Sequence, residues 1–265
     1  VSADKSGASP ERPTWQLEEP AGGFAPPWQL ALELAEAMPP GSWTLVGGLM
    51  VQLHAMHAGM VPQRSTTDVD IVVHIETTMS WARTTQALHQ CGYRLQRPNN
   101  PKGPSHRFVR DGDVIDVLIA DHVAPKALEM RAPGKHLMRI PGATSALRKT
   151  VNCHITRSNG SDIVISVPDV LGALTLKGGA YQEDSRDTGR HLEDAVVLLG
   201  TIDDADELVE DHQAWTQGDP RRIRVLARNL PDDHPAWGLL PHRQRLRAQQ
   251  SLTILTEATT GHIRR

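Results

Sequence analysis

Two glycines, Gly47 and Gly48, close the short apolar segment Trp43-Thr44-Leu45-Val46. After a helix-length stretch the chain reads Arg64-Ser65-Thr66-Thr67-Asp68-Val69-Asp70-Ile71-Val72-Val73. A glycine pair between a strand and a helix leaves backbone N–H groups exposed, and such groups cradle phosphate. Asp68 and Asp70 share one strand face because side chains alternate with period two, while Val69, Ile71 and Val73 fill the other. A phosphate cradle beside paired carboxylates on an otherwise apolar strand points to a divalent metal holding a nucleoside triphosphate. The plainer alternative is that both aspartates face solvent on an edge strand.

Asp-x-Asp also serves glycosyltransferases and haloacid-dehalogenase-type phosphatases, but there the aspartates end an apolar strand. Here polar Arg64-Ser65-Thr66-Thr67 precedes the pair and Ile71-Val72-Val73 follows it, which disfavours both. A third carboxylate belongs on a neighbouring strand. Asp116 is the candidate, because it lies between Ile115 and Val117 in a strongly apolar run. A charge there needs a partner, and a metal is the natural one. Asp113 is placed on the same face but beside the turn, and Asp111 belongs to the turn itself.

The pattern resembles the nucleotidyltransferases of the DNA polymerase β superfamily, and within it the AbiEii/MenT-like group. The residues that carry the resemblance are Gly47-Gly48 with His54, then Arg64 through Asp68-Val69-Asp70, with Asp116 after a hairpin. It covers roughly residues 43 to 200. It implies Asp68, Asp70 and Asp116 as catalytic metal ligands for Mg²⁺, two ions, with Mn²⁺ as substitute. Gly47 and Gly48 would hold the β- and γ-phosphates of an NTP, with Arg64 and Thr66 beside them. Lys177 and Asp194 correspond to a lysine and an acidic residue on helices after the sheet, with Arg186 and Arg190 near the second. Two departures stand out: Gly178-Gly179 weakens the helix after Lys177, and His191 stands where an Asp is often found. Asp194 reads equally well as part of a solvated helix face, and Arg64 as a strand-edge salt-bridge partner.

The resemblance implies transfer of a nucleoside monophosphate to an acceptor hydroxyl, with tRNA as the acceptor in toxin-like members and an antitoxin protein as a possible partner. A small hydroxylated acceptor, as in aminoglycoside or lincosamide nucleotidyltransferases, is the alternative. A non-catalytic nucleotide-binding module is the third reading, and three aligned carboxylates argue against it. Among the small hydroxylated acceptors a cationic one calls for an acidic cleft, whereas tRNA calls for a basic one.

Lys+Arg total 28 against Asp+Glu 31, a formal net charge of -3, so no global basic field announces a nucleic-acid partner. Arg221, Arg222, Arg224 and Arg228, then Arg243, Arg245 and Arg247, make basic helix faces that read as solvated surface. Cys91 and Cys153 form no metal-ligand spacing or disulfide framework. His54 and His57 share a helix face, yet no Glu or Cys completes a zinc set. No apolar run approaches the roughly 20 residues that span a bilayer, and no secretory leader pattern is visible, so a cytoplasmic protein with no membrane partner is expected.

The fold class expected is α/β (α+β): a polymerase-β-like mixed sheet with flanking helices, then a helical C-terminal part. Residues 1–27, rich in Pro, Gly, Ser and Glu, read as a flexible tail. Residues 28–167 form the catalytic core and 168–265 the helical part. Helices are expected at 28–38, after Gly48, at 80–91, from Pro168, and at 189–199, 205–215, 220–229 and 242–256. Strands are expected at 43–46 and 68–73. Hairpins should turn at Asp111-Gly112 and at Ser158-Asn159-Gly160-Ser161. Residues 121–148 read as loop-rich.

Overall fold

The structure is a computed structural model that describes residues 12–62, 64–98, 100–184, 187–210 and 215–261. In chain order it runs β1 (Thr14–Glu18), α1 (Trp28–Ala37), β2 (Trp43–Val46), α2 (Gly47–His57), β3 (Asp68–Val73), α3 (Trp81–Gln90), β4 (Arg94–Leu95), β5 (Arg107–Arg110) and β6 (Asp113–Ala120). There follow α4 (Pro125–Arg131), β7 (Arg139–Ile140), α5 (Ala143–Ala146), β8 (Thr150–Thr156) and β9 (Asp162–Pro168). The rest is helical: α6 (Val170–Glu183), α7 (Gly189–Gly200), α8 (Ala205–Glu210), α9 (Asp219–Asn229), a 3₁₀ turn at Pro235–Leu239, and α10 (His242–Gly261).

The larger sheet has the order β2-β3-β6-β5-β4, with β7 beside the far end of β6. β3 and β6 run parallel at its centre and β2 and β5 flank them antiparallel. Val69, Ile71, Ile115 and Val117 are wholly buried, as a central pair covered by helices requires. The β5–β6 hairpin closes through Asp111 (φ 49) and Gly112 (φ 97), the positive-φ pair of a two-residue turn whose twist matches the strands. A second sheet, β1-β8-β9, meets the first where Thr44 and Ser166 hydrogen-bond through their hydroxyls at 3.4 Å. A single buried apolar cluster runs from Phe24 to Leu255, through the sheets and the helices α6, α7, α9 and α10. The fold is therefore mixed α/β with mixed sheets, and no helix among the described residues is long and apolar enough to cross a membrane.

Four expectations need correction. Residues 14–18 are a strand rather than part of a flexible tail; the first eleven residues lie outside the described ones. β1 pairs in parallel with β8, and Trp15 stacks on His57 with ring centroids 4.2 Å apart and lies edge-on to His54 at 4.9 Å. Composition averaged over the segment hid the alternation Thr14-Trp15-Gln16-Leu17-Glu18, which is a strand with one half-buried face. His54 itself is core: its Nε2–H donates to the Pro168 carbonyl at 2.9 Å, and burial pushes its pKa down to about 4.

Residues 121–148 are ordered by Asp121, whose carboxylate accepts the Gly142 and Thr144 N–H groups at 2.8 and 2.9 Å. α8 ends at Glu210, with 211–214 outside the described residues, whereas α10 continues past residue 256. Asp113 is turned away from Asp116, since the two are three positions apart, an odd offset along a period-two strand. Asp113 joins Arg110 at 3.3 Å, beside Glu33, under a guanidinium 4.2 Å from the Tyr93 ring centroid.

One buried ion pair locks α5 to α9. Lys149 Nζ lies 2.8 Å from Asp219 Oδ2, with side-chain exposures of 4% and 0%, and Ser145 Oγ donates to Asp219 Oδ1 at 2.7 Å. Burial alone would raise the Asp219 carboxyl, yet the Lys149 hydrogen bond and the Thr216 N–H hold it below its ordinary value. Asp219→Ala strands an ammonium in the core, and urea unfolding is expected to show a loss of about 3–5 kcal/mol. Lys149→Met/Asp219→Leu should recover most of it; equal losses in both variants would count against the ion pair.

Candidate active site

A cleft of about 1060 Å³ opens between the larger sheet and helices α6 and α7, and it gathers every residue expected at the site. Gly47 and Gly48 begin α2 directly from the end of β2, where Val46 pairs with Asp70 of β3. Gly47 has φ +70, and a Cβ there would fall 2.0 Å from Asp70 Oδ2; one on Gly48 would fall 2.8 Å from Thr66 Cβ and Oγ1. The two positions must be glycine because Asp70 and Thr66 occupy the space a side chain would take. Gly47→Ala is therefore expected to displace Asp70 and lower any metal-dependent activity by about 10²-fold or more. Thermal unfolding should fall in parallel, and an unchanged Mn²⁺ affinity would count against this close approach. No side chain caps α2 and no acidic residue lies in its first turn, so its free N–H groups and positive dipole end are left to the cleft.

Asp68, Asp70 and Asp116 converge. Asp70 and Asp116 are register partners across the parallel β3–β6 pair, and one carboxylate oxygen of each of the three lies within 4.8 Å of the others. Asp68 accepts from Thr66 Oγ1 at 2.9 Å. Burial raises the Asp70 carboxyl, and the like charges of Asp68 and Asp116 push it further. Against the pull of Lys177 and Arg190 it rises from 3.8 to about 7. No side-chain hydrogen bond reaches Asp70 among the described residues. Three hard oxygen donors, one of them half-buried and unpaired, are the donor set a Mg²⁺ or Mn²⁺ ion takes.

Asp116 has a partner the sequence reading did not assign. Arg107 of β5 grips it with both arms, Nε to Oδ1 at 2.9 Å and Nη2 to Oδ2 at 2.7 Å. The signal was available: counting back from the Asp111-Gly112 turn sets Arg107 opposite Asp116, as the observed register has it.

A second chain of charges backs the glycine turn. Lys177 Nζ donates to Asp194 Oδ2 at 2.7 Å and to the Gly47 carbonyl at 3.1 Å. Arg64 donates to the same carboxylate, Nε to Oδ1 at 3.0 Å and Nη2 to Oδ2 at 3.1 Å. Burial works to raise Asp194, but Lys177 and Arg64 together hold its carboxyl below the ordinary value. Asp194 is thus a buried anchor and not part of a solvated helix face. Of the two roles open to Arg64, the structure shows the salt bridge, at 32% side-chain exposure on the cleft wall.

α6 is unbroken through Gly178 and Gly179, contrary to the expected weakening. A Cβ on Gly178 would lie 2.5 Å from the Arg222 carbonyl oxygen, and one on Gly179 would lie 2.8 Å from that of Pro141. The glycines let two backbones approach the helix. His191 is buried and donates from Nε2 to Asp184 Oδ2 at 3.2 Å, which Arg190 also reaches at 2.9 Å. Burial lowers its pKa, and Lys177 and Arg190 lower it further. Arg186 lies outside the described residues. Arg97, Arg139, Glu183 and Asp187 complete the charged rim, and sequence reasoning had no means of placing them there.

No family model matches the chain, and neither a curated protein nor a solved structure matches it.

Proposed function

We propose that the protein is a divalent-metal-dependent nucleotidyltransferase with a polymerase-β-like core, of the AbiEii/MenT type, moving a nucleoside monophosphate from an NTP to an acceptor hydroxyl. The observation that carries this reading is the convergence of Asp68, Asp70 and Asp116 at the foot of the Gly47–Gly48 turn. Asp68, Asp70 and Asp116 would hold Mg²⁺, with Mn²⁺ as substitute. Bound there, the metal supplies Lewis-acid polarisation of the phosphoryl oxygens and charge neutralisation.

The residues of the chain then have distinct tasks. The uncapped N–H groups of Gly47 and Gly48 bind the β- and γ-phosphates. Lys177, pinned to the Gly47 carbonyl, and Arg64, pinned to the same Asp194, set positive charge beside that cradle. Asp116 takes the proton of the acceptor hydroxyl as its oxygen bonds to the α-phosphorus. The bond from that phosphorus to the β-phosphate oxygen breaks, and pyrophosphate leaves. Asp116 faces Asp68 and Asp70, which supports a catalytic site over a silent nucleotide-binding module.

Six cationic and seven acidic side chains line the cleft among the described residues, so it turns basic only with divalent metal bound, the state that would take an anionic acceptor such as tRNA. Arg64, Arg97, Arg107, Arg139, Lys177 and Arg190 line it. With the three aspartates taken up by metal, Glu183, Asp184, Asp187 and Asp194 are the acids left among the described lining residues. Asp194 pairs with Arg64 and Lys177, Asp184 with Arg190 and Asp116 with Arg107, which leaves Arg97 and Arg139 as the lining cations without a salt-bridge partner among the described residues. The deciding experiment is transfer of α-³²P from each of the four NTPs, with Mg²⁺, to total tRNA and to aminoglycosides, with Asp68→Ala/Asp70→Ala as control. Label on tRNA that the variant abolishes is the expected result. Label on the aminoglycosides would replace the acceptor class, and label on neither, with NTP still bound, would overturn tRNA as the acceptor and favour a silent module or an untested acceptor.

A further inference from the structure

The three carboxylates are not equivalent. Asp68 accepts one hydroxyl hydrogen bond and Asp70 accepts none among the described side chains, so this pair faces the cleft with no cation bonded to it. Asp116 is different, because the Arg107 guanidinium covers both of its oxygens at 2.9 and 2.7 Å. The neighbouring cross-strand pair of the same hairpin shows what a structural ion pair looks like here. Arg110, opposite Asp113, is further held by Glu33 at 2.7 and 2.8 Å and by the Cys91 carbonyl, and it packs over Tyr93. Arg107 has none of these supports. Among the described residues Asp116 is its one hydrogen-bonded side-chain partner, its side chain is 43% exposed, and it lines the cleft.

We propose that Arg107 is a resident counter-ion that occupies the seat of a second divalent cation at Asp116, so that the resting site accepts one ion through Asp68 and Asp70. The inference rests on the metal-binding reading of the triad given above. A divalent ion entering at Asp116 meets a positive charge already bonded to both ligand oxygens, and it must displace a bidentate, charge-assisted pair to coordinate. The exposed side of Arg107 supplies the way out, toward the open cleft. Arg107 is thus a positioning residue that sets how many cations the empty site holds.

The test is Mn²⁺ titration of the metal-free full chain, read by electron paramagnetic resonance of the free ion, in the absence of nucleotide. Wild type is expected to bind one Mn²⁺ tightly, with a second at least about tenfold weaker. Arg107→Gln, a shorter polar side chain without the charge, should bring the second affinity within a few-fold of the first. Arg107→Lys, charged but without the two-armed grip, should fall between them. Two equally tight ions in wild type, or identical titrations for wild type and Arg107→Gln, would overturn the role of Arg107 alone. Asp68→Ala/Asp70→Ala should abolish tight binding. Binding that survives in that variant, or no binding in any form of the protein, would overturn the metal reading itself and the proposal with it.

Discussion

Asp70→Asn is expected to lower nucleotidyl transfer by about 10³-fold or more while making the metal-free protein more stable at alkaline pH. The first effect follows from losing the carboxylate that converges with Asp68 and Asp116 and lies against the glycine turn. The second follows from charge. Asp70 ionises at 3.8 in an unstructured chain and at about 7 in the fold. Between those values the native state keeps a proton that the unfolded state has released, so stability declines as pH rises through that window and stays low above it. Three pKa units correspond to up to about 4 kcal/mol. Melting temperatures measured without metal should therefore fall from pH 5 to pH 8 in wild type, and Asn at this position should flatten the profile. Mg²⁺ bound at the proposed site would neutralise the same repulsion, so it should raise the wild-type melting temperature more at pH 8 than at pH 5. Parallel profiles for the two proteins would show that Asp70 is not the strained group.

The second large effect is expected at Asp194, the anchor of the other charge chain. Its side chain is 3% exposed and pairs with both Arg64 and Lys177, the latter 6% exposed. Asp194→Ala leaves the Lys177 ammonium buried with only the Gly47 carbonyl, and destabilisation of about 3–5 kcal/mol is expected in urea unfolding. Transfer should fall as well, because Lys177 then no longer holds the Gly47–Gly48 turn in place. Lys177→Met/Asp194→Leu separates the two roles, since well-packed apolar groups replace a buried pair at little cost. That double variant should regain most of the stability and none of the activity. A loss below about 1 kcal/mol for Asp194→Ala would place this pair with exposed, weakly contributing ion pairs.

Local pattern carried much of the architecture. Asp111-Gly112 admits positive φ at both turn positions, so it declared the β5–β6 hairpin and its register. The alternation from Asp68 to Val73 declared which residues would face the cleft and which the core. Periodic apolar spacing declared most of the helices, including the region from Val170 onward. Strand 14–18 escaped because it is a short edge strand whose stability comes from β8 and from the rings of His54 and His57, all distant in sequence.

At the site the division is sharper. Asp68, Asp70, Asp116 and the two glycines could be named from the chain because each is dictated by its nearest neighbours: strand parity for the carboxylates, a strand-to-helix turn for the glycines. Their chemistry was decided by pairs far apart in sequence. Gly47 has no room for a side chain because Asp70 lies against it. Lys177 is fixed to the glycine turn because α7 delivers Asp194 beneath it, and Asp116 is occupied because Arg107 reaches it from the next strand. Backbone preference acts over a few residues and is legible as pattern. Charge pairing and close approach act through space, so the paired state of Asp116, Lys177 and Arg64 became readable only when the fold brought their partners within bonding distance.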